Sequence, residues 1–549
     1  MVYGLVLLFS RWVLPALSLL LAVCWVVKFR NARLPRTALA YLETRSGQIL
    51  PIYVREGYIG RKRWCDVCLP SITVSGKHAV FFEQENKWFL APAKGAVYHH
   101  GRLLKQATCI ADGDMVVIAG EEMFFYYGAP QTVSPPAPIT AGGMLWILTV
   151  FQGIMTLQLC LRFTDPLPVL LPVCTAVLVV GQWVYYFTCR FMHSNCMLCE
   201  IPVLYLLTLG LAVCTCSAPQ VLPKQLICGM LGAVGFVLAA LLLSREQLCY
   251  RLRYGIAFLA VVALWGTVMF GTVINGSRNW LSFGGVLTVQ PSEFAKVAFL
   301  AVGACALHVA TKKTDRVFYL VFSALLMGAL VLMVDFGGIL IFFVAMLIVL
   351  LMRLMPTWTV VAMAVGAVIA GGMVLLLFPH VAQRFEAWLH VWEYPASLGY
   401  QQTRTMIAAA SGGLLGVGGG NGTLLSVAAA DTDLVFGVLC EEWGGLIALC
   451  AALCFVALGI YAIRVAKESG SAFYAIGACG AASMMIFQTA LNVFGSVDLL
   501  PLTGVTMMFV SRGGTSLIAA FLMIAFIKAA ECKARSRLRR GRESYESRI

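Results

Sequence analysis

Two polar, glycine-bearing stretches, 275–293 and about 379–433, interrupt an otherwise apolar chain, and the ionisable residues in and beside them are where chemistry is expected. They are Arg278, Glu293, Lys296, Asp335, Arg384, Arg404, Asp431, Asp433, Glu441 and Glu442. A charged side chain beside hydrocarbon is costly to place, so such positions usually carry function. Carboxylates of this kind can take a proton from a bound hydroxyl. Arginine presents a planar fork of donors that suits phosphoryl oxygens. The glycines of Ser411-Gly412-Gly413, Gly416 and Gly418-Gly419-Gly420 permit tight, non-helical backbone close to a membrane, where it needs a cavity or water beside it. Plainer readings stand beside these. Glu293 and Lys296 are about one helical turn apart and fit a mutual ion pair. Each single arginine fits a headgroup contact, and Trp280 fits an interfacial aromatic belt as well as it fits a sugar platform. Asp433 also fits the N-cap of a helix starting at Leu434.

The elements that position these residues are membrane helices. The chain has 549 residues, 60% of them hydrophobic and 12% charged, and a mean hydropathy of +0.85, far from the balance of soluble domains. Uncharged runs such as 144–161, 201–216, 257–273 and 336–352 are at or near the length that spans a bilayer. The net charge of +14 does not indicate nucleic acid, because the basic residues fall in short clusters between apolar runs and read as topology signals. The nineteen cysteines are mostly small residues inside apolar helices rather than a disulfide framework. Cys65 with Cys68, and Cys196 with Cys199 near His193, have the spacing of zinc ligands, though nothing near the first pair completes four.

The apolar run 5–27 is followed by Lys28, Arg30, Arg33 and Arg36, which places its far end in the cytoplasm and makes residues 1–30 a retained N-terminal anchor. Residues 36–128 change character, with strand-like pieces such as Ala79-Val80-Phe81-Phe82 and Met115-Val116-Val117-Ile118, and predict a small cytoplasmic all-β domain. A Pro-rich linker, 129–140, leads to the membrane part, 141–530, and a basic cytoplasmic tail, 531–549. About twelve apolar segments begin near residues 141, 166, 200, 224, 254, 292, 317, 336, 357, 434, 472 and 505. Their cationic loops, with Arg245, Arg251, Lys312 and Arg464, fall on the inner side and leave both polar stretches outside.

Five ordered motifs over roughly residues 250–530 resemble the SEDS family (shape, elongation, division and sporulation; the FtsW, RodA and SpoVE type). They are Asn275-Gly276-Ser277-Arg278-Asn279-Trp280 with Gln290-Pro291-Ser292-Glu293-Phe294-Ala295-Lys296; Asp335-Phe336-Gly337-Gly338; Gly399-Tyr400-Gln401; Asp431-Thr432-Asp433 with Glu441-Glu442-Trp443-Gly444; and Leu500-Pro501-Leu502-Thr503-Gly504 with Phe509-Val510-Ser511-Arg512-Gly513-Gly514. The resemblance implies a polytopic all-α membrane fold and a peptidoglycan glycosyltransferase that polymerises lipid II outside the membrane. In that role Asp433 is the catalytic carboxylate, and Trp280, Arg278, Glu293, Lys296, Gln401, Arg404 and Ser511 contact substrate. A divalent cation, Mg or Mn, is a candidate aid to the leaving diphosphate, and a class B penicillin-binding transpeptidase is the implied partner. Residues 36–128 are similar to a forkhead-associated (FHA) domain through Ile59-Gly60-Arg61, Asp66-Val67-Cys68-Leu69-Pro70, Val74-Ser75-Gly76-Lys77-His78-Ala79 and Asp112-Gly113-Asp114. That resemblance implies phosphothreonine recognition by Arg61, Ser75 and Lys77. Two rival readings are a flippase for the lipid-linked precursor and a non-catalytic scaffold that recruits phosphoproteins.

Overall fold

A computed structural model describes residues 2–31, 38–62, 65–71, 73–84, 87–128, 141–163, 167–192, 197–274, 277–283, 287–307, 313–352 and 379–546, with scattered positions between 353 and 378. Helix α1, Val2–Asn31, leads into eleven short strands: β1 Ala40–Thr44, β2 Ile49–Ile52, β3 Glu56–Gly60, β4 Val67–Cys68, β5 Ala79–Gln84, β6 Lys87–Pro92, β7 Val97–His99, β8 Arg102–Leu103, β9 Thr108–Ile110, β10 Met115–Ile118 and β11 Glu121–Tyr127. They form two sheets, ordered β2-β1-β11-β10-β7-β8 and β4-β3-β5-β6-β9. Alternation decides which side chains face inward: in β5, Ala79 and Phe81 are buried while Val80 and Phe82 are less so. Phe81, Trp88 and Phe125 fill the space between the sheets with Leu42, Ile59, Val116 and Ile118.

The membrane part contains α2 Gly142–Arg162, α3 Leu167–Phe191, α4 Glu200–Ser217, α5 Leu222–Leu243, α6 Glu246–Phe270, α7 Pro291–Ala306, α8 Lys313–Leu332 and α9 Phe336–Met352. After the sparsely described stretch come α10 Pro379–Ala387, α11 Tyr400–Gly412, α12 Val435–Trp443, α13 Gly445–Ser469, α14 Ala472–Ser496 and α15 Gly514–Glu546. Among the described residues ten helices are long and apolar enough to cross a membrane, with the shorter apolar helix Phe336–Met352 beside them. Two expected segments differ in detail, and a third is only sparsely described. The one near 357 lies largely outside the described residues. The one near 434 is two helices, because the chain breaks at Gly444, where φ is +91° and the backbone crowds the Leu414 carbonyl too closely for a Cβ. The one near 505 stays non-helical until Gly514, and α15 then runs through the expected 530/531 boundary into the basic tail.

Helix α1 packs along α2 and α13. Its Trp25 Nε1 donates to the Leu198 carbonyl at 2.8 Å, and Tyr205 donates to Ser18 Oγ at 3.0 Å. The β-sandwich rests on one end of the bundle. The Arg55 amide donates to the Gly470 carbonyl at 2.9 Å, and a cavity of about 1000 Å³ between the two parts is lined by Arg55, Glu83, Arg245, Glu246, Asp315 and Lys533 among others. Helices α6, α13 and α14 each run 25 residues from this end to the other, roughly 37 Å at the helical rise.

Candidate functional site

At the bundle end remote from the β-sandwich, the loop before α12 makes a tight turn on Ala429, whose φ is +61°. The amides of Thr432 and Asp433 both donate back to the Ala429 carbonyl, at 3.2 and 2.8 Å. Three side chains fasten this turn to the loop before α15. Asn492 Nδ2 donates to the carbonyls of Asp433 (2.9 Å) and Val505 (2.8 Å). Ser511 Oγ donates to the Thr432 carbonyl at 2.6 Å while accepting the Met507 amide at 2.9 Å. Arg512 Nε pairs with Asp431 Oδ2 at 2.8 Å, and its amide donates to the Asp431 carbonyl at 2.9 Å.

These contacts separate the two acids. Asp431 is committed to Arg512, whereas among the described residues Asp433 forms no ion pair. The helix-cap reading of Asp433 is corrected: the N-cap of α12 is Leu434, with no side-chain cap, so the Asp433 carboxylate does not satisfy the helix amides. Its Oδ2 instead looks onto Gly504, where a Cβ would stand 3.4 Å away, and Gly504 holds φ +70°. Desolvation by the surrounding protein raises the Asp433 carboxyl above its ordinary range, although a hydrogen bond from Thr432 and the Arg384 guanidinium work against this and Asp431 adds to it. Arg384 is held over the same loop, donating to the Leu502 carbonyl at 3.0 Å. A partly exposed carboxylate with a raised pKa and a fixed backbone is suited to accepting a proton.

Glu293 and Lys296 form the buried ion pair that their spacing allowed, at 2.8 Å and only 5% and 3% exposed. Lys296 Nζ also donates to Gln488 Oε1 at 2.7 Å, and Gln488 Nε2 donates to the Thr506 carbonyl at 2.8 Å. The pair therefore underlies the 505–507 backbone. Gln401 Nε2 donates to the Ala428 carbonyl at 3.0 Å and braces the approach to Ala429. Arg404 is exposed and lies over the Tyr400 ring, 5.3 Å from its centroid. Arg278 and Trp280 stand on a separate three-stranded sheet, β12 Thr272–Ile274, β13 Ser277–Phe283 and β14 Leu287–Val289. Arg278 Nη1 donates to the Val268 carbonyl at the end of α6 at 3.0 Å, and its amide bonds the Met333 carbonyl. Glu441, one of the ionisable candidates, binds the Thr423 and Leu424 amides and the Thr423 hydroxyl at 2.8–2.9 Å and so holds the preceding loop.

Sequence reasoning passed over Gln488 and Asn492. Both are polar, four residues apart on one face of the apolar helix α14, and that spacing was the available signal. As for a metal at Asp433, Asp431 is engaged by Arg512, and among the described residues no group of three His, Cys, Asp or Glu ligands includes either acid. The residues present do not make a metal site of their own there. The first CxxC pair does not converge either: Cys65 Sγ donates to the Gly76 carbonyl and Cys68 Sγ to the Arg61 carbonyl. His193 and Cys196 lie outside the described residues.

In the β-sandwich Arg61, Ser75 and Lys77 come together on neighbouring loops. The Arg61 amide donates to the Ser75 carbonyl at 3.1 Å, and Ser75 Oγ donates to the Lys94 carbonyl at 3.2 Å. His78 braces them: its Nδ1 accepts the Ser75 amide at 3.1 Å, which leaves Nε2–H to donate to the Ala96 carbonyl at 2.9 Å. Lys77 Nζ lies 4.5 Å from the centre of the Tyr58 ring. Strand β3 begins at Glu56 beside the bundle and ends at Gly60, so this cluster occupies the end of the sandwich pointing away from the membrane helices.

Residues 191–536 match the family model described as cell cycle protein, of the FtsW, RodA and SpoVE type, and residues 57–119 match the FHA domain. The chain is similar to the peptidoglycan glycosyltransferase RodA of Mycobacterium tuberculosis, 29% identical over 340 residues, which cover 58% of this chain and 71% of that one. It is 32% identical over 328 residues to a probable peptidoglycan glycosyltransferase FtsW of Alcanivorax borkumensis, covering 57% of this chain and 83% of the relative. A solved chain described under the structural coordination of polymerization and crosslinking by a peptidoglycan synthase complex shares the fold, with 24% identity, a TM-score of 0.51 and coverage of 61% of this chain and 97% of that one. The chain belongs to the FtsW/RodA/SpoVE family of cell cycle proteins, as a multi-pass membrane member that carries an FHA domain ahead of most of its membrane helices.

Proposed function

We propose that this chain is a peptidoglycan glycosyltransferase that joins lipid-linked disaccharides, lipid II serving as donor and acceptor, into glycan strands, with Asp433 as general base. The observation that carries the reading is the contrast between two neighbouring acids: Asp431 is spent on an ion pair, while among the described residues Asp433 stands outside any such pair, its carboxyl held above the ordinary range on a backbone fastened from two loops. In the reaction an acceptor hydroxyl attacks the anomeric carbon of the donor and the bond to the lipid diphosphate breaks. The hydroxyl proton passes to Asp433, and attack from the face opposite the leaving group inverts the anomeric centre. Arg384, which donates to the Leu502 carbonyl, is a cation whose field reaches this carboxylate, and in this reading it meets the departing negative charge. Purified protein given labelled lipid II, alone and with a class B penicillin-binding transpeptidase, tests this. Glycan chains are expected. Label that crosses vesicles without lengthening would support the flippase reading, and neither activity would leave the scaffold reading.

In this reading the Asp433 end faces outward, and the FHA domain and C-terminus lie in the cytoplasm. The cationic residues Arg245, Arg251 and Lys533 at the sandwich end support that orientation. A single cysteine placed at Lys94 in a cysteine-free background should resist an impermeant thiol reagent in intact cells and react after permeabilisation. Labelling from outside overturns the orientation.

The FHA domain, on this proposal, captures phosphothreonine proteins through Arg61, Ser75 and Lys77. A charged hydrogen bond is worth about 1.5–3 kcal/mol, so Arg61→Ala should weaken binding of a phosphothreonine peptide to the full-length protein roughly ten- to a hundred-fold. Equal binding of phosphorylated and plain peptide removes the phosphate role and leaves the transferase reading untouched.

A further inference from the structure

We propose that His99, His100 and Asp114 form a binding site for a first-row divalent cation of the zinc class on the membrane-proximal end of the FHA domain. His99 Nε2 lies 2.8 Å from Asp114 Oδ2, and His100 Nε2 lies 3.1 Å from Asp114 Oδ1. The three donor atoms all fall within 4.8 Å of one another. Neighbouring ligands of a tetrahedral zinc with arms of about 2.0–2.1 Å stand about 3.3 Å apart, so the side chains need only small adjustments to take a metal between them. Two imidazoles and one carboxylate, with water completing the shell, are donors that zinc and its neighbours accept.

The convergence is built by the backbone. Successive residues of a strand point to opposite faces, so two adjacent histidines would ordinarily diverge. Here β7 and β8 are joined by the two-residue turn His100-Gly101, with φ of +48° and +76°, as a two-residue hairpin turn of this hand requires. The left-handed conformation swings the His100 ring beside that of His99, with centroids 4.3 Å apart. The acid is aimed as well: Asp114 Oδ2 accepts the Ala111 amide at 2.7 Å. A metal on both Nε2 atoms would move each imidazole proton to Nδ1, and the His100 side chain is 59% exposed. Bound there, the ion would clamp the β7–β8 hairpin to the turn before β10, at the opposite end of the sandwich from Arg61.

The test is titration of the full-length protein in detergent with cobalt(II), whose visible absorption reports tetrahedral binding, followed by displacement with zinc. Saturable binding by the parent is expected, at least about tenfold weaker in His99→Ala and in His100→Asn. Asparagine tolerates the left-handed turn position, so His100→Asn removes a ligand while keeping the hairpin. Absence of saturable cobalt binding in the parent overturns the site, and so does parental affinity in both variants.

Discussion

Asp433→Asn is expected to stop glycan polymerisation while the protein still inserts, extracts and unfolds like its parent. The amide keeps the size and the backbone contacts, because Asn492 holds this position through its main-chain carbonyl, which the substitution leaves in place. What disappears is the proton acceptor at the reacting hydroxyl, and general-base assistance is typically worth roughly 10²–10⁴-fold in rate. Chain growth from labelled lipid II is the measurement, and activity above about a hundredth of the parent would sink the assignment. Asp431→Asn should be milder, since the Arg512 amide continues to hold the Asp431 carbonyl after the ion pair is gone. The Asp433 carboxylate also sets the pH dependence. Its pKa is raised, and only the ionised form is a base, so activity is lost as pH falls through a value above that of an ordinary aspartate. Arg384 lowers that pKa, so Arg384→Gln should move the acid limb of the profile to higher pH.

Lys296→Met should destabilise the protein heavily. It would leave Glu293 as an uncompensated charge that is 5% exposed, and breaking one side of a buried pair costs about 3–5 kcal/mol. Gln488 would also lose its donor, and through it the Thr506 carbonyl its support. Thermal unfolding in detergent should show a large drop in midpoint. The double substitution Glu293→Gln with Lys296→Met should recover much of that drop, because a neutral amide no longer needs a cation. A double variant as unstable as Lys296→Met would show that the lysine acts through Gln488 alone.

The local patterns were legible in advance. The strands Ala79–Gln84 and Met115–Ile118 sit where their alternation put them, and the polar, glycine-bearing stretch did carry the loop that presents Asp433. Features that depend on distant partners were not. Hydropathy records that α1 is apolar but not that Trp25 reaches the Leu198 carbonyl, so the packing of this helix is not legible from it. It also runs straight across Gly444, where the break arises from the approach of the Leu414 carbonyl, about thirty residues away in sequence. The roles of Glu293, Lys296 and Ser511 turn on which backbone they reach. Spacing could pair the first two, but only the folded chain puts them beneath the loop that precedes α15 and brings Ser511 of that loop to the Thr432 carbonyl.

The placement of Arg61, Ser75 and Lys77 at the far end of the sandwich changes how a captured protein would search for its target. Strand β3 has five residues, so the recognition loops stand roughly 17 Å beyond its docked end. On the proposed reading, a phosphoprotein caught there is held at the end of the domain away from the bundle. It is confined to a thin layer parallel to the bilayer, where its next encounter with any other membrane-bound component becomes a two-dimensional problem at raised effective concentration. On the proposed reading the domain would work as a mooring post of fixed height, and the gain it offers would come from geometry even if the captured protein made no contact with the catalytic loops.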